Sequence, residues 1–220
     1  MIAVYETDVQ YDFCSPDGNL YVPDSEKDLD NIIKIHEHAK VSGWKIFGSV
    51  DKHYSFDDEL IRNGGLFPDH CMEGSDGQRR IKELNPENDF YIENSENGFF
   101  NVYDTCYQIL SNDLGRNIIF EKQSVDVGDN VNFRHVMRMC SVFGIDRIIV
   151  NGFATEYCVK AFIESLLEMV EMAGYFNIAI ALVTDAIRAV SVSDGENAIE
   201  ELSESVVLLD TSEVIKCLML

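Results

Sequence analysis

Short apolar runs alternate along this chain with stretches whose apolar residues recur every three or four positions. The runs predict strands at Ile2–Tyr5, Trp44–Val50, Asn117–Phe120, Arg147–Val150, Asn177–Thr184 and Val206–Leu209, with Phe90–Glu93 readable as a short strand or a loop. Strands buried on both faces lose the two-residue alternation and become continuous apolar segments. The periodic stretches predict helices over Glu26–Val41, Asn101–Asn112, Asn132–Phe143, Cys158–Met172, Asp194–Glu204 and Glu213–Leu218. In the first of these, Leu29, Ile32, Ile33 and His36 share a face, and Ser25 is a plausible N-cap. Gly43, Gly144 and Gly174 follow three helices, where a left-handed residue ends the turn. Strands alternating with helices place the chain in the α/β class. The expectation is a three-layer α/β/α domain with a mostly parallel central sheet. No repeat, low-complexity stretch or linker breaks the pattern, so residues 1–220 are expected to form a single domain.

Two segments escape the pattern. Asp51–Gln78 has no period and carries Gly64-Gly65, Pro68, Gly74 and Gly77. A loop of that length is expected to serve a function. The 78–116 segment is long for a crossover, and its role is not readable from its residues.

Charge narrows the function classes. The formal net charge is −22, which argues against a phosphate backbone or an anionic membrane surface as partner. No apolar run approaches the roughly 20 residues that span a bilayer. The opening Met-Ile-Ala-Val-Tyr-Glu lacks the basic and apolar regions of a signal peptide. None of the cysteines Cys14, Cys71, Cys106, Cys140, Cys158 and Cys217 forms a Cys-x-x-Cys pair. A cytoplasmic protein with reduced thiols is the expectation.

Ligands of open α/β sheets bind beyond the carboxyl ends of the strands. That rule selects Asp8, Asp51, Lys122 and the 152–158 turn. Cys158 stands at a predicted helix start, where unpaired N–H groups and the helix dipole favour a thiolate and can hold an oxyanion. Asp8 and Lys122 can converge on it. The carboxylate could take the thiol proton, while the ammonium keeps both groups ionised. Alone, Cys158 reads first as a packed apolar residue, Asp8 as a turn residue and Lys122 as a solvated charge. Their coincidence at three strand ends favours chemistry. Asp51-Lys52-His53 puts a carboxylate and an imidazole on one side of extended backbone, and His70 can return from the loop as a third ligand. Two nitrogens and a carboxylate suit one divalent metal, zinc first, with iron or manganese as alternatives. His36, His38 and His135 read as surface or boundary histidines. Phe13, Phe67 and Tyr157 flank these positions and could sandwich a flat ring, although each reads as well as core.

These residues resemble those of the isochorismatase-like cysteine hydrolases, and among them the nicotinamidases. Asp8-Val9-Gln10-Tyr11-Asp12-Phe13 is similar to the family's Asp-x-Gln-Asn-Asp-Phe, and Gly18-Asn19-Leu20-Tyr21-Val22 to the Gly-x-Leu-x-Val that follows it. Gly152-Phe153-Ala154-Thr155-Glu156-Tyr157-Cys158-Val159 resembles the nucleophile motif, and Thr184-Asp185-Ala186 the Thr-Asp-Ala near the end of the next strand. The resemblance implies a Cys158–Asp8–Lys122 triad and a cis peptide at Phe153–Ala154. It also implies an oxyanion hole from the N–H groups of Ala154 and Cys158, and a metal on Asp51, His53 and His70. The implied activity is amide hydrolysis through a thioester, with nicotinamide the first substrate and small ureido or carbamoyl compounds the alternatives. A binding member without catalysis is the rival class. The expected partners are a small amide and, for assembly, further copies of the chain. Lys52 and Tyr54 stand where the family has Trp and Pro, Phe67 where it has Trp, and Asp57 where it has a further histidine. Val125-Asp126-Val127-Gly128-Asp129-Asn130 also departs from the family's segment after the lysine.

Overall fold

The computed structural model describes residues 1–97, 99–112, 115–172 and 177–216. Strands β1 (Ile2–Thr7), β2 (Lys45–Asp51), β3 (Asp89–Ile92), β4 (Asn117–Lys122), β5 (Arg147–Phe153), β6 (Ala179–Arg188) and β7 (Val207–Leu209) form one sheet in the order β3-β4-β2-β1-β5-β6-β7. Every neighbouring pair is parallel. The sheet therefore fits the predicted three-layer class.

Side chains of β1 alternate between two cores. Ala3 and Tyr5 join Phe47, Phe120, Ile148 and Val150 against Phe133, Val136, Phe162 and Leu166. These come from α4 (Phe133–Met137) and α6 (Lys160–Met172). Ile2 and Val4 point the other way, with Ile46, Ile149 and Val183 against Ile32, Ile35 and Val214. Those last residues belong to α2 (Leu29–Val41), which follows the single-turn α1 (Tyr11–Cys14), and to α8 (Thr211–Lys216). Full burial of one such side chain contributes about 1.5–3 kcal/mol, so dozens of them offset the chain entropy lost on folding.

Several boundaries differ from the sequence reading. Ser25 does not cap α2; its hydroxyl donates to the Phe13 carbonyl at 2.9 Å, and a 3-10 turn, Ser25–Lys27, precedes the helix. The helix expected over 132–143 is divided at Arg138 into α4 and α5 (Met139–Val142). Cys158 does not open an α-helix: a π-helical turn, Thr155–Val159, comes first and α6 starts at Lys160. The strand expected from Asn177 begins at Ala179 and runs on to Arg188. Helix α7 (Val192–Ser203) starts two residues early, its N-terminus capped by the Ser191 hydroxyl accepting from Asp194 N–H. Gly174, Cys217 and the last expected turn to Leu218 lie outside the described residues. The 78–116 segment supplies the edge strand β3 and helix α3 (Phe99–Asn112).

His36 is no boundary residue. It is fully buried, its Nδ1 2.8 Å from Glu6 Oε1. Glu6 also pairs with the buried Arg80, which reaches Asp89 of β3 at 2.6 Å. This chain of charges fastens β3 to β1 and to the end of the long loop. Among the described residues no helix is long and apolar enough to cross a membrane.

Candidate active site

Parallel strands bring their C-terminal ends to one edge of the sheet. β2 and β4 pair in register, with Asp51 opposite Lys122. Lys122 is 1 % exposed, so a solvated surface charge is excluded. Its Nζ ion-pairs with Asp51 Oδ1, lies 3.0 Å from Asp8 Oδ2 and donates to Cys158 Sγ at 3.5 Å. Asp8 follows β1 with φ of 48°, a left-handed turn that few non-glycine residues adopt. Gly152 makes room at the nucleophile turn. Its φ is 115°, and a Cβ there would stand 2.0 Å from the Thr7 carbonyl oxygen. The Phe153–Ala154 peptide is cis.

The electrostatics differ from the sequence expectation of a thiolate. Burial pushes the Cys158 thiol well above its ordinary value; Lys122 opposes this, and the negative charges of Asp8 and Asp51 reinforce it. Burial also raises Asp8. The pull of Lys122 is offset by Asp51, which takes the closer contact with the ammonium. Asp51 is held well below the carboxylate range: burial opposes this, but Lys122 and the two histidines outweigh it. Burial and the neighbouring carboxylates thus favour the thiol over the thiolate and hold Lys122 as an ammonium, with Asp8 more basic than Asp51.

Beside the triad, Asp51, His53 and His70 each offer a donor atom within 4.8 Å of the others. Each imidazole is oriented through its other nitrogen. His53 Nδ1 faces Asp57 Oδ2 at 3.0 Å, and His70 Nδ1 donates to the Pro68 carbonyl at 2.8 Å. This arrangement is typical of metal-binding histidines. His53 Nε2 is buried without a well-aligned hydrogen bond, although Glu59 Oε2 lies 3.2 Å and Asp51 Oδ2 3.8 Å away. Burial alone would lower the His53 pKa, yet Asp51 and Glu59 raise it to about 10. The cluster demands positive charge, and its donor set fits a divalent metal. Glu59 was invisible in the sequence because nothing local marks it in an aperiodic loop. Asp57 does not replace the family's further histidine as a donor toward this cluster, because it holds the far side of His53.

Residues 8–13 organise the whole site. The Gln10 amide donates to the carbonyls of Asp51 and Gln78, and its oxygen accepts Asp51 N–H, all at 2.7 Å. Asp12 accepts Cys71 N–H at 2.6 Å and Asn19 N–H at 2.9 Å, which fixes the loop beside His70 and the strand of chain at Leu20. A Cβ on Gly77 would stand 2.1 Å from Asp12 Oδ2, so the loop can pack here only as glycine.

Cys158, Ala154, Asp51, His70 and Glu59 open into one cavity of about 250 Å3. Phe13, Phe67 and Tyr157 all line it, as do Val22, Leu66 and Val190. Phe67 meets Tyr157 edge to face at 5.7 Å, and Phe13 meets His70 at 5.7 Å. Val190 is held in the wall by Glu156, whose carboxylate accepts the N–H groups of Ser191 at 2.8 Å and Val190 at 3.3 Å. Lys52 lies outside the cavity lining, pairing with Glu121 at 3.0 Å, and Tyr54 stacks on Phe56. From the departing 125–130 segment, Val125 reaches the wall.

No protein-family model matches the chain. It is 24 % identical over 219 residues to the nicotinamidase of Escherichia coli (strain K12), covering 91 % of this chain and 90 % of that protein. The pyrazinamidase of Pyrococcus horikoshii, solved in complex with zinc, superposes with a TM-score of 0.70 at 22 % identity, over 95 % of this chain and 98 % of the other. An isochorismatase family protein from Desulfovibrio vulgaris superposes with a TM-score of 0.70 at 15 % identity, over 100 % and 98 %. The chain thus has the isochorismatase-like hydrolase fold and, along nearly its full length, is similar to the nicotinamidases.

Proposed function

We propose that this protein, acting as one unit over residues 1–220, is a cysteine amidohydrolase that converts a small planar aromatic carboxamide, nicotinamide first, to its carboxylate and ammonia. The observation that carries the reading is the meeting of Asp8, Lys122 and Cys158 beside the Asp51, His53 and His70 cluster, with Cys158, Asp51 and His70 opening into one aromatic-lined cavity. Asp8 accepts the Cys158 proton as sulfur bonds to the carboxamide carbon. The N–H groups of Ala154 and Cys158 hold the oxygen that gains charge. Breaking the C–N bond yields the thioester, and Asp8 returns the proton to the departing ammonia. Water then adds to the thioester with its proton passing to Asp8, the C–S bond breaks, and the thiol is re-formed. Lys122 steadies the negative charge carried in turn by Asp8 and sulfur. Asp51, His53 and His70, with Glu59 at their side, would hold a divalent metal, zinc first. When bound, the metal would supply a Lewis acid beside the thiol. Phe13, Phe67 and Tyr157 position the ring; aromatic pairs contribute roughly 0.5–1.5 kcal/mol beyond area burial.

One observation favours a second reading, a ureido or carbamoyl substrate. Val125, from the segment that departs from the nicotinamidase pattern, forms part of the wall. Ammonia release from a panel of nicotinamide, pyrazinamide, ureido and carbamoyl compounds decides between them. Nicotinamide or pyrazinamide is expected to give the highest kcat/KM. A hundredfold preference for a non-aromatic compound, about 2.7 kcal/mol of transition-state preference, would overturn the aromatic assignment. Ammonia from none of them would favour a binding member without catalysis.

The metal assignment makes its own prediction. Elemental analysis of protein purified without chelator should find up to one divalent metal per chain. His53→Ala and His70→Ala should each lower the content about tenfold or more, because two donors hold such an ion poorly. Metal content unchanged in both variants would refute the assignment.

A further inference from the structure

β2 and β1 run in register, with Thr7 opposite Ser49 and Tyr5 opposite Phe47, so these four side chains share one face of the sheet. That face is otherwise core: Tyr5 stacks on Phe162, and Phe47 and Phe120 are fully buried beside it. Ser49 thus places a hydroxyl where the pattern calls for an apolar side chain, one layer beneath the Asp51–Lys122 pair. It is 0 % exposed. A buried hydroxyl without a partner costs about 1–3 kcal/mol, so its partner matters. That partner is Asp8: Ser49 Oγ donates to Oδ1 at 2.7 Å, and Asp8 N–H donates back to the Ser49 carbonyl at 3.1 Å. The other carboxylate oxygen, Oδ2, faces Lys122 at 3.0 Å, and the same ammonium reaches Cys158 Sγ at 3.5 Å, which sets Oδ2 on the side of the thiol.

We infer that Ser49 is a positioning residue: its hydroxyl occupies Oδ1 of Asp8 and thereby keeps Oδ2 as the oxygen that receives the Cys158 proton. A carboxylate can rotate about its Cβ–Cγ bond, and the left-handed backbone at Asp8 does not fix that rotation. The two-point clamp from Ser49 does. The ammonium cannot substitute for the clamp. It contacts Oδ2, also pairs with Asp51, and donates to the Ser124 carbonyl at 3.0 Å. The Thr7 hydroxyl lies on the same face and is buried without a partner, and the Tyr5 hydroxyl neighbours Ser49 itself, so neither makes the bond to Oδ1.

The inference rests on the reading of Asp8 as the base, and the test separates the two. Ser49→Ala, Ser49→Thr and Tyr5→Phe are compared with wild type for kcat and KM on nicotinamide. The rate of iodoacetamide alkylation at Cys158 is followed by peptide mass spectrometry, and metal content and Tm are recorded. Ser49→Ala is expected to lower kcat about 10- to 100-fold with KM within threefold, part of the 10²–10⁴ that general acid–base catalysis contributes. Alkylation should slow in parallel. Ser49→Thr, which keeps the hydroxyl, should stay within about threefold, as should Tyr5→Phe, which removes a hydroxyl from the same layer without touching Asp8. Ser49→Ala within threefold of wild type in both kcat and alkylation would overturn the inference. So would a Ser49→Thr variant as impaired as Ser49→Ala, which would assign the position to packing. If no amide is hydrolysed by any form while alkylation still depends on the Ser49 hydroxyl, the proposed function fails and the positioning role stands.

Discussion

Cys158→Ala is expected to lose about 10⁴-fold or more in kcat, equivalent to roughly 5.5 kcal/mol of transition-state stabilisation, with Tm within a few degrees of wild type. The thiol lies against Lys122 at 3.5 Å and opens into the cavity. Alanine leaves the π-helical turn and the packing of Val159 and Phe162 intact, so the loss should be chemical. Cys14 and Cys140 are buried, and burial above all pushes both thiols well up, so Cys14→Ser or Cys140→Ser should keep most of the activity. Steady-state ammonia release with a thermal melt checks both halves. Comparable turnover in folded Cys158→Ala would remove the covalent route.

The second large effect is expected at Asp8→Asn, about 10³-fold in kcat, because an amide cannot take the thiol proton. The isostere keeps the Ser49 hydrogen bond to its oxygen, and Lys122 keeps Asp51 and the Ser124 carbonyl. Stability should not fall at pH 7. The Asp8 carboxyl is raised in the folded state, so its contribution is fully present below the ordinary carboxylate pKa and is lost as pH rises through the raised value. Removing the charge at neutral pH therefore costs nothing on this account. The wild-type kcat/KM should decline on the acid side above the usual Asp value near 3.9. An Asp8→Asn enzyme within tenfold of wild type would assign the base to another group.

Why was the site partly legible in the sequence? Asp8, Asp51 and Lys122 stand at strand ends, and parallel strands in one sheet must bring those ends to one edge. Convergence followed from the apolar runs alone. The nearness of Asp51 and His53 was legible because alternate residues of extended backbone face one side, and His70 joins them from the loop. Other features depend on contacts that no local pattern encodes. The protonation state of Cys158 is one, since the helix dipole argued for a thiolate while burial and two carboxylates decide for the thiol. Glu59 approaches His53 through a loop without period, and His36 looked like a boundary residue until Arg80, 44 positions away, proved to share its partner Glu6. Ser25 failed as a cap because the Phe13 carbonyl, brought close by the turn at 11–14, captured its hydroxyl. Gln10 and Asp12 lay inside a motif already singled out, yet their roles as struts for Asp51 and for the loop beside His70 needed the fold.

The central claim is that the acyl group passes through sulfur. The most direct test is rapid quench of the holoenzyme during turnover of nicotinamide, followed by peptide mass spectrometry of the segment containing Cys158. An acyl group on Cys158 that forms within one turnover and decays at least as fast as kcat is the predicted result. Ammonia released at the normal rate, with no acyl group on Cys158 at any time, under a quench shown to preserve a synthetic thioester, would contradict it.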